Sequence, residues 1–397
     1  SRTKMEGHSV RATYAASGAT DYYLETGDTA FGDTLENLWR DMTGRKMYLT
    51  GGIGSRAQGE AFGEPYELPN LLAYTESCAA IGNMMWNWRM LAATAEARFA
   101  DTLERALYNG VNSGMSVSGT LYCYRNPLEL AGNPADKIRN PWYTTTCCPP
   151  NLERVLASLP GYFYSVSKEG VYVHLFHSGE LDWKLGDGTP LKIRQTTKYP
   201  WEGDVEIAVD PAESREFTMF IRVPLWAGGA RLTVNGRPSA AAAGTYAAVR
   251  RAWRAGDRIR LQFPLDPRVT SANPLVRDNT GRVAIERGPL VYCMEGLDQP
   301  ALSSVFDAAV IAGNGFVPEF RTDLLGGAVV LRHRGAAWDK PLADLSLYGP
   351  PSRLPGLREA ELVFIPYYLF ANREPTSMKV WVPVAASTPR KPAARTR

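Results

Sequence analysis

The spacing of hydrophobic positions changes partway along the chain. Up to about Tyr164 apolar residues recur at helical intervals, and beyond it they alternate with period two. Between Thr29 and Met42 the apolar residues Ala30, Phe31, Leu35, Leu38, Trp39 and Met42 fall largely on one face, which predicts an amphipathic helix. The stretch "LPNLLAYTESCAAIGNMMWNWRML" is apolar almost all round and predicts a buried helix, with Asn70 and Thr75 both open as its cap. A third helix is expected from Ala97 to about Ser113. Pro149-Pro150 opens a fourth through Leu159, because the first helical positions have no intrahelical use for an amide hydrogen. Thereafter "GVYVHLF", "VEIAVD", "EFTMFIRVPLWA", "RLTVNG", "RIRLQFPL", "VAIERGPLVYC" and "MKVWVP" are short β-rich runs between Gly, Pro, Asp and Asn turns. They read as one or two β-sandwich modules.

Composition narrows the class. The chain has 397 residues, 45% hydrophobic and 21% charged, with net charge +3, enough for two or three domains with cores of their own. The Lys and Arg residues are scattered, so no nucleic-acid partner is expected. No apolar run approaches the ~18 residues of a membrane span. The tail "TPRKPAARTR" reads as a disordered end. Five cysteines, an odd number in a large chain, argue against a secreted disulfide framework and favour a reducing, cytoplasmic setting. The chain opens Ser-Arg-Thr-Lys with neither Met nor a signal-peptide pattern, and the expectation is that it begins inside a longer reading frame.

Two of the cysteines, Cys147 and Cys148, are adjacent at a helix entrance. Neighbouring cysteines sit too close to bond to each other readily, so they read as two thiolates aimed at one target. Glu76 and Cys78, two residues apart, are the candidate second pair. Together they form a Cys₃Glu set with the ligand count of a tetrahedral zinc site. Taken alone, Cys78 reads more readily as a small core residue on a buried helix. The stretch "GGIGSRAQGEAFGEPYELPN" reads as a long loop carrying Glu60, Glu64 and Glu67, and long loops inside domains often carry function. The four histidines include His8 near the start, and His174 and His177, whose spacing in a β run puts them on opposite faces. No phosphate loop and no Gly-x-Ser-x-Gly elbow is present.

In this order, "EGHSVRATY", "YLTGGIGS", "GEAFGEPYELPN", "AYTESCAAIGNMMWNWRML", "LERALYNGVNSGMSVSGTLYCYRNPLEL" and "TCCPPNLERVLASLPGYFYS" resemble the catalytic region of glycoside hydrolase family 127, the β-L-arabinofuranosidases. The β half is similar as well, through "VYVHLF", "YPWEGDVEI", "FIRVPLWA", "IERGPLVYC" and "IPYYLFANREP". The resemblance implies a multidomain α plus β fold: the C-terminal part of an (α/α)6 barrel over residues 1–165, β-sandwich domains over 166–270 and 271–386, and a disordered tail at 387–397. It implies Zn2+ held by Glu76, Cys78, Cys147 and Cys148. Cys147 would be the nucleophile, Glu60 the general acid/base and His8 a sugar-binding residue.

The implied reaction is retaining hydrolysis of a β-L-arabinofuranosyl oligosaccharide or glycoconjugate, with a thiolate where a carboxylate usually stands. A homodimer is one possible assembly. Only four or five helices precede the β half, so the remaining barrel helices are expected outside this chain. Ser77 stands where the family more usually has Thr. Two other readings stay open: a related glycosidase acting on another pectic pentose, and a non-catalytic zinc-stabilised carbohydrate-binding protein that would tolerate loss of Glu60.

Overall fold

A computed structural model describes residues 2–133, 137–340, 345–350 and 355–385. The expected tail at 387–397 lies outside them. Five α-helices occur among the described residues: α1 (Ser9–Thr26), α2 (Thr29–Arg45), α3 (Ser77–Thr94), α4 (Ala97–Arg105) and α5 (Cys148–Ser158). Five cannot close a barrel of six helical hairpins, so the fold of this chain is mixed α and β with few helices.

The period-3.6 pattern located four of these helices and missed α1. Its buried face is Ser9, Thr13, Ala16, Ser17 and Thr20, with no large apolar side chain. The hydroxyls satisfy themselves by donating one turn back, Thr13 to the Ser9 carbonyl (3.1 Å), Ser17 to that of Thr13 (2.9 Å) and Thr20 to that of Ala16 (2.7 Å). That small face lets α1 lie close on α3, where a Cβ at Gly82 would stand 2.3 Å from Thr13 Oγ1.

Helix α2 is capped by Asp28, whose carboxylate accepts the Ala30 amide (3.0 Å), and it buries Leu35, Trp39 and Met42. Helix α3 is buried from Ser77 to Met84, as its composition requires. Its N-cap is Glu76, and neither Asn70 nor Thr75 has that role. The expected third helix is one helical run that changes winding, α-helical to Arg105, π-helical over Ala106–Val111 and 3₁₀ to Gly114.

Three short strands follow, β1 (Tyr122–Cys123), β2 (Glu129–Ala131) and β3 (Arg139–Asn140). Then come β4 (Tyr164–Val166), β5 (Gly170–Val173), β6 (Gly179–Lys184), β7 (Pro190–Thr197), β8 (Asp204–Pro211), β9 (Arg215–Val223), β10 (Arg231–Val234), β11 (Arg237–Ser239), β12 (Thr245–Trp253) and β13 (Asp257–Gln262). They form a six-stranded sheet, β11-β10-β13-β8-β7-β6, and a four-stranded one, β12-β9-β5-β4. Alternate residues of both sheets, such as Val205, Ile207 and Val209 from β8 and Met219 and Ile221 from β9, share one core.

The last strands are β14 (Arg268–Ser271), β15 (Arg282–Arg287), β16 (Leu290–Glu295), β17 (Ala308–Ile311), β18 (Phe316–Arg321), β19 (Ala328–Trp338), β20 (Leu357–Pro366), β21 (Ser377–Lys379) and β22 (Val382–Ala385). They do not separate into two hydrogen-bonded sheets. Strand β15 pairs with both β22 and β16, so β15, β22, β17, β19, β20 and β16 close into a ring. Ile285, Tyr292, Val310, Leu331, Phe364 and Val382, one from each of the six strands, fill a common core. Strand β2 joins this sheet through β21, with Leu130 opposite Met378, and Tyr367 donates to the Asn126 carbonyl (2.8 Å). The segment leading from β1 into β2 is thereby fixed between the helices and the ring.

Candidate active site

The starts of α3 and α5 meet. Glu76 and Cys78 flank the first residue of α3, and Cys147 and Cys148 are the N-cap and first residue of α5. The helix ends approach closely because Gly114 lies between them, where a Cβ would stand 2.8 Å from Leu152 and 2.9 Å from Ser77 Oγ. Ser77 ties this corner to the β1–β2 segment: its hydroxyl donates to the Cys123 carbonyl (2.7 Å) and accepts from Asn126 Nδ2 (2.9 Å). One oxygen satisfies both bonds, so Ser in place of Thr costs nothing visible here.

One ligand atom from each of Glu76, Cys78, Cys147 and Cys148 lies within 4.8 Å of the others, and no other such group occurs among the described residues. Cys78 and Cys148 Sγ are 3.5 Å apart, and Glu76 Oε1 is 3.4 Å from Cys147 Sγ and 3.6 Å from Cys148 Sγ. Burial and the bonds within the set shift its members in different directions. Burial pushes Cys147 up to about 11, and it pushes Glu76 upward with help from the charge of Glu60. Cys148 is held far above the thiol range by its bond to Cys78 and by burial, while that same bond draws Cys78 down. Glu76 Oε2 is buried with no hydrogen-bond partner. Three convergent sulfurs and a carboxylate with an unused buried oxygen fit a soft divalent cation in tetrahedral surroundings, and the two helix N-termini favour the ionised form of these ligands. Cys147 is the exposed member of the set.

Glu60 ends a 3₁₀ turn (Gln58–Glu60) with φ of 50°, a left-handed conformation uncommon for a side chain this large. Its backbone carbonyl accepts Ser9 Oγ at 3.0 Å. Its Oε1 accepts two phenols, Tyr74 at 2.8 Å and Tyr124 at 3.0 Å, and its Oε2 lies 2.8 Å from His8 Nε2. Tyr124 also lies 3.3 Å from Cys147 Sγ, so one hydroxyl bridges the loop carboxyl and the exposed thiol. His8 is the N-cap of α1, and its Nδ1 is buried without a partner.

The six residues singled out in the sequence therefore lie in two adjoining groups joined by Tyr124. The other loop acids stand apart: Glu67 is paired with Arg56 at 2.5 and 2.6 Å, and Glu64 is exposed. His174 is buried against Tyr246 and Ser165, and His177 is exposed. Cys123 and Cys293 are fully buried in an apolar cluster. Tyr74 and Tyr124 were not visible as site residues. Nothing local separates them from the chain's other tyrosines, and their link to Glu60 is made only by folding.

The chain matches three family descriptions in succession: the β-L-arabinofuranosidase GH127 catalytic domain over residues 1–161, the GH127 middle domain over 170–265 and the glycoside hydrolase family 127 C-terminal domain over 267–383. It is 34% identical over 404 residues to a non-reducing end β-L-arabinofuranosidase of Bifidobacterium longum subsp. longum, an alignment covering 95% of this chain and 59% of the relative. Among solved structures, a GH127 β-L-arabinofuranosidase from Geobacillus stearothermophilus T6 superposes with TM-score 0.92 at 36% identity, covering 97% of this chain and 61% of that one. A GH127 β-arabinofuranosidase superposes with TM-score 0.89 at 36% identity and the same coverage. The chain spans 59% of the curated relative's length. With all three family regions present in order and the fold shared throughout, the chain belongs to glycoside hydrolase family 127.

Proposed function

We propose that this chain carries the catalytic centre of a retaining glycoside hydrolase that releases L-arabinose from β-L-arabinofuranosides, the activity named for its relatives. Glu76, Cys78, Cys147 and Cys148 would hold zinc, the metal that a set of three thiolates and one carboxylate suits best. When bound, the zinc supplies positive charge that favours the thiolate of Cys147 and fixes its position.

Cys147 Sγ attacks the anomeric carbon as the bond to the leaving oxygen breaks, and Glu60 gives that oxygen its proton. The sugar is then a thioglycoside of Cys147. Glu60, now a carboxylate, takes a proton from water, whose oxygen attacks the anomeric carbon and releases Cys147 as thiolate. His8, against Glu60 Oε2, stands where it could meet a sugar hydroxyl. The observation that carries this reading is the join through Tyr124: the exposed thiol of the cluster and the loop carboxyl share one hydroxyl, at 3.3 and 3.0 Å.

The test is Glu60→Gln. The variant should keep about one zinc per chain by elemental analysis while losing turnover of alkyl β-L-arabinofuranosides. Rates equal to the parent would remove Glu60 from the mechanism, and a folded parent without zinc would remove the metal-held thiolate.

A further inference from the structure

Glu60 presents two unlike oxygens. Oε1 accepts from both Tyr74 and Tyr124, and a carboxylate oxygen has two lone pairs to give. A proton on Oε1 would have to displace one of the phenols. Among the described residues, the partner of Oε2 is the His8 ring nitrogen at 2.8 Å. That contact survives either state of the carboxyl, because the imidazole can donate to a carboxylate or accept from an acid by exchanging tautomer.

The two tyrosines are not equivalent. Tyr124 divides its hydroxyl between Glu60 and Cys147, whereas Tyr74, beside Tyr124, donates its hydroxyl to Glu60. Tyr74 is carried to Glu60 by a tight crossing of backbone: its amide donates to the Ser55 carbonyl (3.3 Å), and Thr75, at φ of 39°, donates to that of Gly54 (2.8 Å).

We infer that Tyr74 is a positioning residue that holds the Glu60 carboxyl by Oε1, so that Oε2 is the oxygen that delivers the proton to the leaving group and later takes it from water. This rests on the catalytic reading above. Oε2 gives up its His8 contact to the glycosidic oxygen, while Oε1 stays anchored through both half-reactions.

The experiment is Tyr74→Phe, which keeps the ring and removes one hydroxyl. Zinc content should be unchanged. With an alkyl β-L-arabinofuranoside, whose departing oxygen needs the proton, kcat/KM should fall about tenfold, the worth of one hydrogen bond. With the 4-nitrophenyl glycoside, which leaves without help, kcat/KM should stay within about twofold. No loss on either substrate, or an equal loss on both, would overturn the inference. A crystal structure of Tyr74→Phe decides independently of turnover: the Glu60 carboxyl should rotate away from His8, and an unmoved carboxyl would also overturn it. If the parent chain hydrolyses neither substrate while the carboxyl does rotate in the variant, the catalytic reading fails and the positioning by Tyr74 stands.

Discussion

Arg222 lies in β9 with no exposure at all, and its guanidinium reaches across to α4. Nη1 bonds Asp101 at 2.7 Å, Nη2 bonds Glu104 at 2.5 Å, and Nε donates to the His174 carbonyl at 2.5 Å. The change Arg222→Met keeps an unbranched side chain but strips the cation from two carboxylates. Glu104, with its side chain 2% exposed, would retain only the Tyr199 hydroxyl (2.7 Å) and Trp226 Nε1 (3.2 Å). Asp101, 16% exposed, has some access to water and keeps the Leu225 amide. Breaking one side of a buried ion pair costs about 3–5 kcal/mol. The remaining neutral donors put Arg222→Met near the lower end, about 3 kcal/mol.

Urea denaturation followed by tryptophan fluorescence would read the loss. The companion variant Arg222→Met/Glu104→Met, which removes both buried charges, should recover most of it, because an apolar pair of similar size is often neutral. A single variant losing less than about 1 kcal/mol, or a double variant no more stable than the single, would show that the seam is not held by this pair.

Cys148→Ser should abolish zinc binding and lower stability, whereas Cys123→Ala, in an apolar cluster away from the donors, should leave zinc in place. Elemental analysis of both decides it, and zinc lost from Cys123→Ala would mean a wrong ligand set. His174 is pushed down to about 3 from its ordinary 6.5, first by burial and then by Arg222. Between those values the unfolded chain binds a proton that the folded one refuses, so stability present at neutral pH is lost on acidification. The slope from this group is about 1.4 kcal/mol per pH unit. His174→Gln should flatten the fall in denaturation midpoint between pH 6 and pH 4, and equal falls in the two proteins would refute this.

What could be read from the sequence follows how local each feature is. The donor set was legible because its members come in two short clusters, each at a helix start. Only the meeting of those starts had to be supplied by the fold. The cap of α3 was misread for a definite reason: both candidate side chains serve long-range bonds. Asn70 donates to Asn279 Oδ1 (2.8 Å), and the Thr75 hydroxyl donates to the Asn126 carbonyl. The chain therefore stays non-helical until Glu76, and the helix starts where a ligand is needed.

Helix α1 was missed because hydroxyls that return to their own backbone are neither hydrophobic nor free, so a pattern of apolar residues passes over them. The same property lets the helix come within reach of the site. With small residues against α3, α1 brings Ser9 to the Glu60 carbonyl and His8 to the Glu60 carboxyl. Tyr74 and Tyr124 arrive by different segments, one fixed to the loop at Ser55 and the other held by the Ser77 amide on its own carbonyl at 2.9 Å. Cys147 can be recognised from its neighbour. The groups that set which oxygen of Glu60 faces outward are fixed by contacts spanning 14 to 64 residues, and those exist only once α1, the long loop and the β1–β2 segment have packed together.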